Sequence, residues 1–142
     1  MDDGARQSAI TPPTLVASLG GGTILEMLVD EGRAALAFTA RPEFCHNGGV
    51  VQGGFITGWI DAAMAHAVIA RTSGSAWPAT LEIKVSFLRP VLPGSEVRAE
   101  GWIERQGSSI VFLGGRLLDG AGEVLATGTS TAKLLPLRRA GG

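Results

Sequence analysis

The sequence has few of the residues that form disulfide bonds or metal sites. It contains one cysteine, Cys45, and two histidines, His46 and His66, with no HExxH motif and no paired cysteines. One cysteine excludes an intramolecular disulfide bond, and these residues are too few for a closed metal site. We therefore expect no metal. Since the cysteine content does not indicate an oxidising compartment, we also expect a cytoplasmic location.

The chain also lacks a block of charge of one sign. It has 12 Lys and Arg against 13 Asp and Glu, for a formal net charge of -1. Binding to nucleic acids or to membrane surfaces depends on clustered basic charge, so neither partner is expected. The first residues lack the basic start and the continuous apolar segment of a signal peptide.

One long apolar run, residues 50–70, has the length of a membrane span. It contains Gln52, Asp61 and His66. An Asp near the centre of a span costs roughly 2.5–3.5 kcal/mol on insertion scales. The run therefore predicts a buried central helix and no membrane partner.

Glycine, in contrast, is abundant: 21 of the 142 residues are glycine. This is about twice the usual ~7%. The glycines follow no three-residue period and alternate with apolar residues, which indicates one globular domain over residues 1–142. Turn residues divide the chain into predicted elements. These are an N-terminal arm (1–22) with a short helix (14–19), a β-hairpin (23–30 and 33–39), a helix (53–71), four strands (79–89, 95–104, 109–118 and 124–135) and a flexible tail (136–142).

The strand at 79–89 has the clearest apolar alternation. Its predicted core-facing residues are Leu81, Ile83, Val85 and Phe87, and its other face is predicted to be solvated. An antiparallel sheet with one apolar face needs a covering layer, which the long apolar helix can provide. The predicted fold class is α+β, with a curled antiparallel β-sheet wrapped around one long central helix.

Asp61 is the residue that this pattern does not explain. It is the only acid between Glu43 and Glu82, and it lies in the middle of an almost wholly apolar helix. A buried carboxylate is costly unless something compensates for its lost hydration. Two interpretations are open. Asp61 is either a structural residue, partly exposed or hydrogen-bonded across a subunit contact, or a general base or nucleophile.

The neighbouring polar residues do not complete a site around Asp61. His66 is five residues further on, about 140° around the helix axis, so the two side chains point to different sides. Residues 48–54 are rich in glycine but match neither common phosphate-binding motif. The N–H groups of Gly53 and Gly54 open the helix, where they form either an oxyanion site or an ordinary flexible helix start.

Three features together resemble the hotdog-fold acyl-CoA thioesterases of the PaaI type. They are the Gln-Gly-Gly triplet at 52–54, Asp61 seven residues after the second glycine, and the alternating strand that ends in Phe-Leu-Arg-Pro at 87–90. The resemblance extends over residues 23–135. The chain departs from the family pattern at Gln52, where His is usual, and at His46, where Asn is common.

The resemblance implies a role for each matching residue. Asp61 corresponds to the catalytic carboxylate, Gly53 to the N–H that polarises the thioester carbonyl, and Thr80 to the hydroxyl that helps to place the attacking water. Gln52 would orient the thioester, since its amide can donate a hydrogen bond. The substrate-binding residues implied are His46, Asn47 and Gly54. Trp59 and Met64 are candidates either for the acyl pocket or for the core.

The expected reaction is hydrolysis of an acyl-CoA thioester to a carboxylate and free CoA, with no cofactor beyond the CoA of the substrate. The resemblance also implies a homodimer with a shared active site, and a homotetramer. One alternative is a non-catalytic acyl-CoA-binding or sensing protein on the same fold. Another is a hydratase or dehydratase of this fold, whose acid-and-histidine motif is not visible. The candidates for the CoA phosphates are Arg89, Arg105, Arg116 and the terminal Arg138 and Arg139, and the sequence does not choose between them.

Overall fold

The order of strands and helix is the one that the hydrophobic pattern predicts. The computed structural model describes residues 17–137. Most of the predicted arm, part of the predicted 14–19 helix and the end of the predicted tail lie outside this range. The elements are β1 (Thr23–Leu28), β2 (Arg33–Thr39), a 3-10 helix (Pro42–Phe44), α1 (Gly53–Arg71), β3 (Ala76–Phe87), β4 (Glu96–Gln106), β5 (Ile110–Leu118) and β6 (Val124–Pro136).

The six strands form one curled antiparallel sheet, in the order β1-β2-β4-β5-β6-β3. The helix α1 packs across the concave face and contacts every strand. The predicted hairpin is present, with Leu28 paired to Arg33 across a turn in which Gly32 has φ +57. The predicted α+β fold class is therefore confirmed, and β3 lies at one edge of the sheet.

The helix α1 is long and apolar enough to cross a membrane by length and composition, but here it is the core helix of the sheet. Its Trp59, Ile60 and Met64 side chains are fully buried against the strands. Burial of an apolar side chain of this size stabilises a fold by about 1.5–3 kcal/mol. Packing against the sheet thus accounts for the apolar run, as predicted.

A row of three glycines lets the helix approach the sheet closely. Gly101, Gly115 and Gly128 are directly opposite one another on β4, β5 and β6. A Cβ at Gly101 would lie 2.4 Å from the carbonyl carbon and oxygen of Ala63. Because atoms of any side chain would fill this space, the glycine row determines how deeply α1 lies in the sheet.

The predicted alternation in β3 is correct for two residues and wrong for two. Ile83 and Val85 pack against the core, whereas Leu81 is 60% exposed and Phe87 54% exposed. The pairing of β3 with β6 has an irregularity between Thr80 and Glu82. A bulge of this kind inserts a residue and breaks the two-residue period, so Leu81 no longer shares a face with Ile83.

The loop before α1 contains a 3-10 helix that the sequence pattern did not predict. Its buried Phe44 stacks on Phe55 with ring centroids 4.4 Å apart. The Phe44 carbonyl accepts the N–H of Gln52 at 2.9 Å, and Cys45 forms an isolated bridge with Val51. These contacts fix the backbone immediately before the first residue of the helix, Gly53.

Candidate active site

Asp61 lies halfway along α1, where the helix passes the edge strand β3. Its carboxyl is half-buried and accepts a hydrogen bond from the Thr80 hydroxyl, with Oγ1 to Oδ1 at 3.1 Å. Burial raises the pKa of the Asp61 carboxyl above its usual 3.8, and the hydrogen bond from Thr80 acts in the opposite direction. The structure therefore pairs two residues that the resemblance placed in one site, 19 positions apart in the chain.

Asp61 and Thr80 face a cavity of about 290 Å³, which we call the Asp61 cavity. Three small residues of α1 form one wall, and the first residues of β3 form the other. The remaining lining is apolar: Leu19, Gly58, Ala62, Ala65, Trp77 and Pro78. A half-buried carboxyl with a raised pKa beside an apolar cavity is a common arrangement for a general base or a nucleophile.

The other predicted catalytic element, Gly53, lies at the N-terminus of α1. The Gly54 N–H donates to the Gln52 side-chain oxygen at 2.8 Å, and the Phe55 N–H donates to the Gln52 carbonyl at 3.0 Å. Within residues 17–137, the Gly53 N–H has no acceptor. The Gln52 cap thus leaves the Gly53 N–H as the donor that a ligand could use.

Gly53 lines a second cavity of about 410 Å³, which we call the Gly53 groove. The groove lies between the start of α1 and the segment that follows β3. Its lining is mostly apolar: Val50, Val51, Gly53, Ile56, Phe87, Leu88, Arg89, Pro90 and Val91. An unpaired N–H at a helix N-terminus suits the binding of negative charge, since the helix dipole adds to it.

Within one chain, Asp61 and Gly53 cannot act on the same carbonyl group. They are eight residues apart on α1, which corresponds to roughly 12 Å along the axis. They also line different cavities. A base and an oxyanion donor must each lie about 3 Å from the reacting atoms. Each chain therefore carries two separate halves of a potential site.

The other predicted binding residues near the helix start, Gly54, His46 and Asn47, do not contribute free groups to either cavity in this chain. The Gly54 N–H is occupied by the Gln52 cap. His46 accepts the Gly48 N–H at Nδ1, at 2.9 Å, and both His46 and Asn47 are exposed in the loop and line neither cavity. The hydrogen bonds of His46 lie within the loop.

The structure corrects the expectation that Trp59 and Met64 line an acyl pocket. Both are fully buried in the core and border neither cavity. Trp59 stacks on Phe38 of β2 with ring centroids 5.4 Å apart, and its indole N–H donates to the Leu19 carbonyl at 2.8 Å. The physical reason is the rotation of α1, which turns these large side chains toward the sheet.

His66 is buried in the core. Its Nδ1 lies 2.7 Å from the Ala62 carbonyl, which can only accept, so this nitrogen carries the proton. Burial lowers the pKa of His66 below its usual 6.5, and the backbone hydrogen bond opposes that shift. Among residues 17–137, no three His, Cys, Asp or Glu side chains lie where they could share a metal ion.

The chain is similar to known proteins whose esterase or thioesterase activity has been inferred. It is 31% identical over 85 residues to an inferred esterase of Saccharolobus solfataricus, covering 60% of this chain and 59% of that protein's length. It is 28% identical to the structure of an inferred thioesterase, a phenylacetic acid degradation-related protein from Ralstonia eutropha JMP134. That match has a TM-score of 0.79 and covers 89% of this chain and 97% of the other.

A second structure has the same fold at low sequence identity. It is a hypothetical thioesterase from Streptococcus pneumoniae TIGR4, solved with coenzyme A, with 16% identity and a TM-score of 0.76 over 84% of this chain and 93% of that chain. These matches confirm the predicted hotdog fold and the resemblance to PaaI-type proteins. The family model of the thioesterase superfamily matches residues 48–126, which is more than half of the chain. The chain therefore belongs to the thioesterase superfamily.

Proposed function

We propose that this protein hydrolyses an acyl-CoA thioester to a carboxylate and free CoA. The observation that carries the proposal is the half-buried Asp61 carboxyl, held by Thr80 beside an apolar cavity. Membership of the thioesterase superfamily supports the reaction type. Coenzyme A in the Streptococcus pneumoniae structure of the same fold supports CoA as the thiol part of the substrate.

In this proposal the Gly53 N–H binds the thioester oxygen. As the carbonyl is attacked, negative charge develops on this oxygen, and an N–H already aimed at it stabilises the transition state more than the ground state. The Gln52 side-chain oxygen caps Gly54. Its NH₂ group can still donate a hydrogen bond to the thioester carbonyl or sulfur.

Asp61 supplies the second half of the chemistry. Its carboxylate either takes a proton from the attacking water or attacks the carbonyl carbon itself. The Thr80 hydroxyl donates to Asp61, and its oxygen can accept a hydrogen bond from a water molecule in the Asp61 cavity. Thr80 thereby positions the carboxylate and the water together.

We further propose that two copies of the chain form the complete site. Because Gly53 and Asp61 face separate cavities, the donor of one copy would meet the acid of the other. The outer edge of β3 is 12 residues long and pairs with no described strand, so it can pair with a second copy. A homotetramer of such dimers stays a prediction from the family resemblance.

The shape of the two cavities suggests how the substrate would lie in this dimer. The acyl group would enter the Asp61 cavity, whose walls are apolar, and the pantetheine arm would leave through the partner's Gly53 groove. Gly58, Ala62 and Ala65 leave space along α1 that larger residues would fill. These residues, and not Trp59 or Met64, would then set the size of the acyl group.

Matched variants test the two parts of the mechanism, the Asp61 carboxylate and the Gly53 N–H, separately. Asp61→Asn keeps the shape of the side chain but removes the base, so kcat should fall by about 10²-fold or more. Gly53→Pro removes the N–H at a helix position where proline is well tolerated. Gly53→Ala is its control, since it keeps the N–H. Turnover should fall by roughly 10²-fold with Pro, consistent with loss of one oxyanion donor, and much less with Ala.

The shared site has its own test, which uses two inactive variants. Asp61→Asn and Gly53→Pro chains are unfolded together, refolded at equal concentration and assayed for thiol release. Random pairing makes half of the dimers mixed, and each mixed dimer contains one intact site of two, so about a quarter of wild-type activity should return. If activity does not return although mixed dimers form, the shared site is wrong. Saturable acyl-CoA binding by the wild type without thiol release would contradict hydrolysis.

A further inference from the structure

The residues just before β1 lie across two aromatic rings of the core. We call residues 19–22 the N-terminal strap. A Cβ at Gly20 would lie 2.5 Å from the Phe44 ring, and a Cβ at Gly22 would lie 2.5 Å from the Phe38 ring. Gly20 also has φ +98, a conformation that other residues rarely adopt. Because neither glycine position has room for a side chain, the strap lies directly on the aromatic rings.

A hydrogen bond from the core fixes the first residue of the strap, Leu19. The indole N–H of Trp59 donates to the Leu19 carbonyl at 2.8 Å. Trp59 is fully buried and stacks on Phe38, so the close packing of the core holds the donor in place. The Leu19 side chain packs on Gly58 of α1, where a Cβ would lie 2.7 Å from Cδ2 of Leu19. Loss of this acceptor would leave the indole N–H unpaired, so the hydrogen bond holds the strap against α1.

Leu19 is the part of the Asp61 cavity lining that belongs to neither α1 nor β3. The other lining residues all come from those two elements. Both elements are held by the sheet, since α1 contacts every strand and β3 pairs with β6 over its whole length. Connecting segments tolerate substitution better than the elements that they join. Leu19 therefore closes the cavity with a side chain that can be changed without moving either wall.

We propose that Leu19 limits the length of the acyl group and that Trp59 is a positioning residue that holds Leu19 in place, an inference that rests on the proposed function. At about 290 Å³, the Asp61 cavity is at the small end of ligand sites. The apolar tail of an acyl group beside Asp61 meets Leu19 at Gly58, and a longer tail would have to displace it. The substrate class is then an acyl group of short or medium length. Trp59 borders neither cavity, so it acts only through the Leu19 carbonyl.

The test measures kcat/KM for straight-chain acyl-CoA thioesters from acetyl to dodecanoyl, each as a ratio to acetyl-CoA. The ratio cancels any loss of folded protein. The wild type should show a chain length beyond which the ratio falls sharply. Leu19→Ala should move this limit to longer chains, and Leu19→Phe should move it to shorter chains. For the first chain beyond the wild-type limit, Leu19→Ala should raise the ratio by roughly tenfold or more, since one methylene in an apolar pocket discriminates by about that factor.

Trp59→Phe keeps an aromatic ring in the core but removes the N–H that holds Leu19. The limit should then move to longer chains, by less than in Leu19→Ala. The change should appear in KM and not in kcat, because the end of the acyl chain is bound equally in the ground state and the transition state. Ile60→Val is the matched control. It also shortens a fully buried side chain of α1, but one that packs on Gly115 and Gly128 of the sheet, so the length limit should not move.

The outcomes separate the two residues from each other and from the proposed function. The inference is overturned if the wild type shows no length limit, or if neither Leu19 variant moves it. A limit that does not move in Trp59→Phe, or that moves as far in Ile60→Val, overturns the positioning role of Trp59. A wild-type protein that hydrolyses none of the acyl-CoA series would instead contradict the proposed function.

Discussion

Replacement of Gly101 by alanine tests the glycine row that seats α1 on the sheet. The added Cβ would lie 2.4 Å from the carbonyl carbon and oxygen of Ala63 and 2.5 Å from the Met64 nitrogen, against 3.4–4 Å for ordinary contact. These are backbone atoms of a helix, so no side-chain rotation relieves the contact. The helix would have to withdraw by about 1 Å, which would loosen its packing on several strands at once.

The expected loss of unfolding free energy is about 3 kcal/mol, the upper part of the range for overpacked cores. Gly115→Ala should cost less, because the nearest atom is a side-chain methyl, Cγ2 of Ile60, at 2.8 Å, although the Glu100 carbonyl oxygen follows at 3.0 Å. Gly128→Ala should cost less again, with Ile60 at 3.1 Å. At Gly120 a Cβ meets nothing within 4 Å, so Gly120→Ala should change stability by no more than about 1 kcal/mol.

Urea unfolding followed by tryptophan fluorescence measures this series, since the indole of Trp59 is fully buried beside the helix. Each kcal/mol should also lower Tm by roughly 2–4 °C in a domain of this size. The Gly120 variant corrects for the general effect of alanine on the unfolded chain, which is about 0.4–1 kcal/mol. If Gly101→Ala were as stable as Gly120→Ala, the close approach of helix and sheet would be refuted.

Three other variants have expected outcomes that the structure defines. Thr80→Val removes the hydrogen bond that lowers the Asp61 pKa, so this pKa should rise and the acid limb of the pH–kcat profile should move to higher pH. If the acid limb does not move, Thr80 does not influence the catalytic carboxyl. Burial lowers the pKa of His66, so the unfolded chain binds a proton that the folded chain does not. Unfolding free energy should therefore decrease as pH falls below about 6.5, and His66→Met should remove this component in urea titrations at several pH values. Ala65→Leu fills the far part of the Asp61 cavity, so kcat/KM should fall by roughly tenfold for medium-chain acyl groups and little for acetyl; equal losses for both would contradict the acyl assignment.

The boundaries of the helix α1 could be predicted from the sequence because local signals agree there. Gly53 and Arg71 bound the helix as expected, since glycines precede it and a Ser-Gly-Ser turn follows it. The rotation of α1 could not be predicted. A helix that is apolar on nearly all sides has no polar face to indicate which side turns away from the sheet. This is why Trp59 and Met64 were assigned to a pocket although they pack in the core.

The start of the edge strand β3 could not be predicted from the sequence pattern either. The strand was predicted to begin at residue 79, but β3 begins at Ala76 and includes Pro78. Proline cannot donate a ladder hydrogen bond, but an edge strand tolerates it. Trp77, which lines the Asp61 cavity, lies before the predicted start of the strand and was not identified as a site residue. The bulge beside Thr80 was also invisible, because no residue type in that segment requires one.

Because Asp61 and Gly53 are separated along one helix, the activity of the protein would depend on its own concentration. If each complete site needs two chains, a folded but solitary chain is inactive. Below the dissociation constant of the pair, the amount of active species, and with it the rate, would rise with the square of the chain concentration. A modest change in expression would then produce a larger change in thioester turnover, a sensitivity that requires no separate regulatory site.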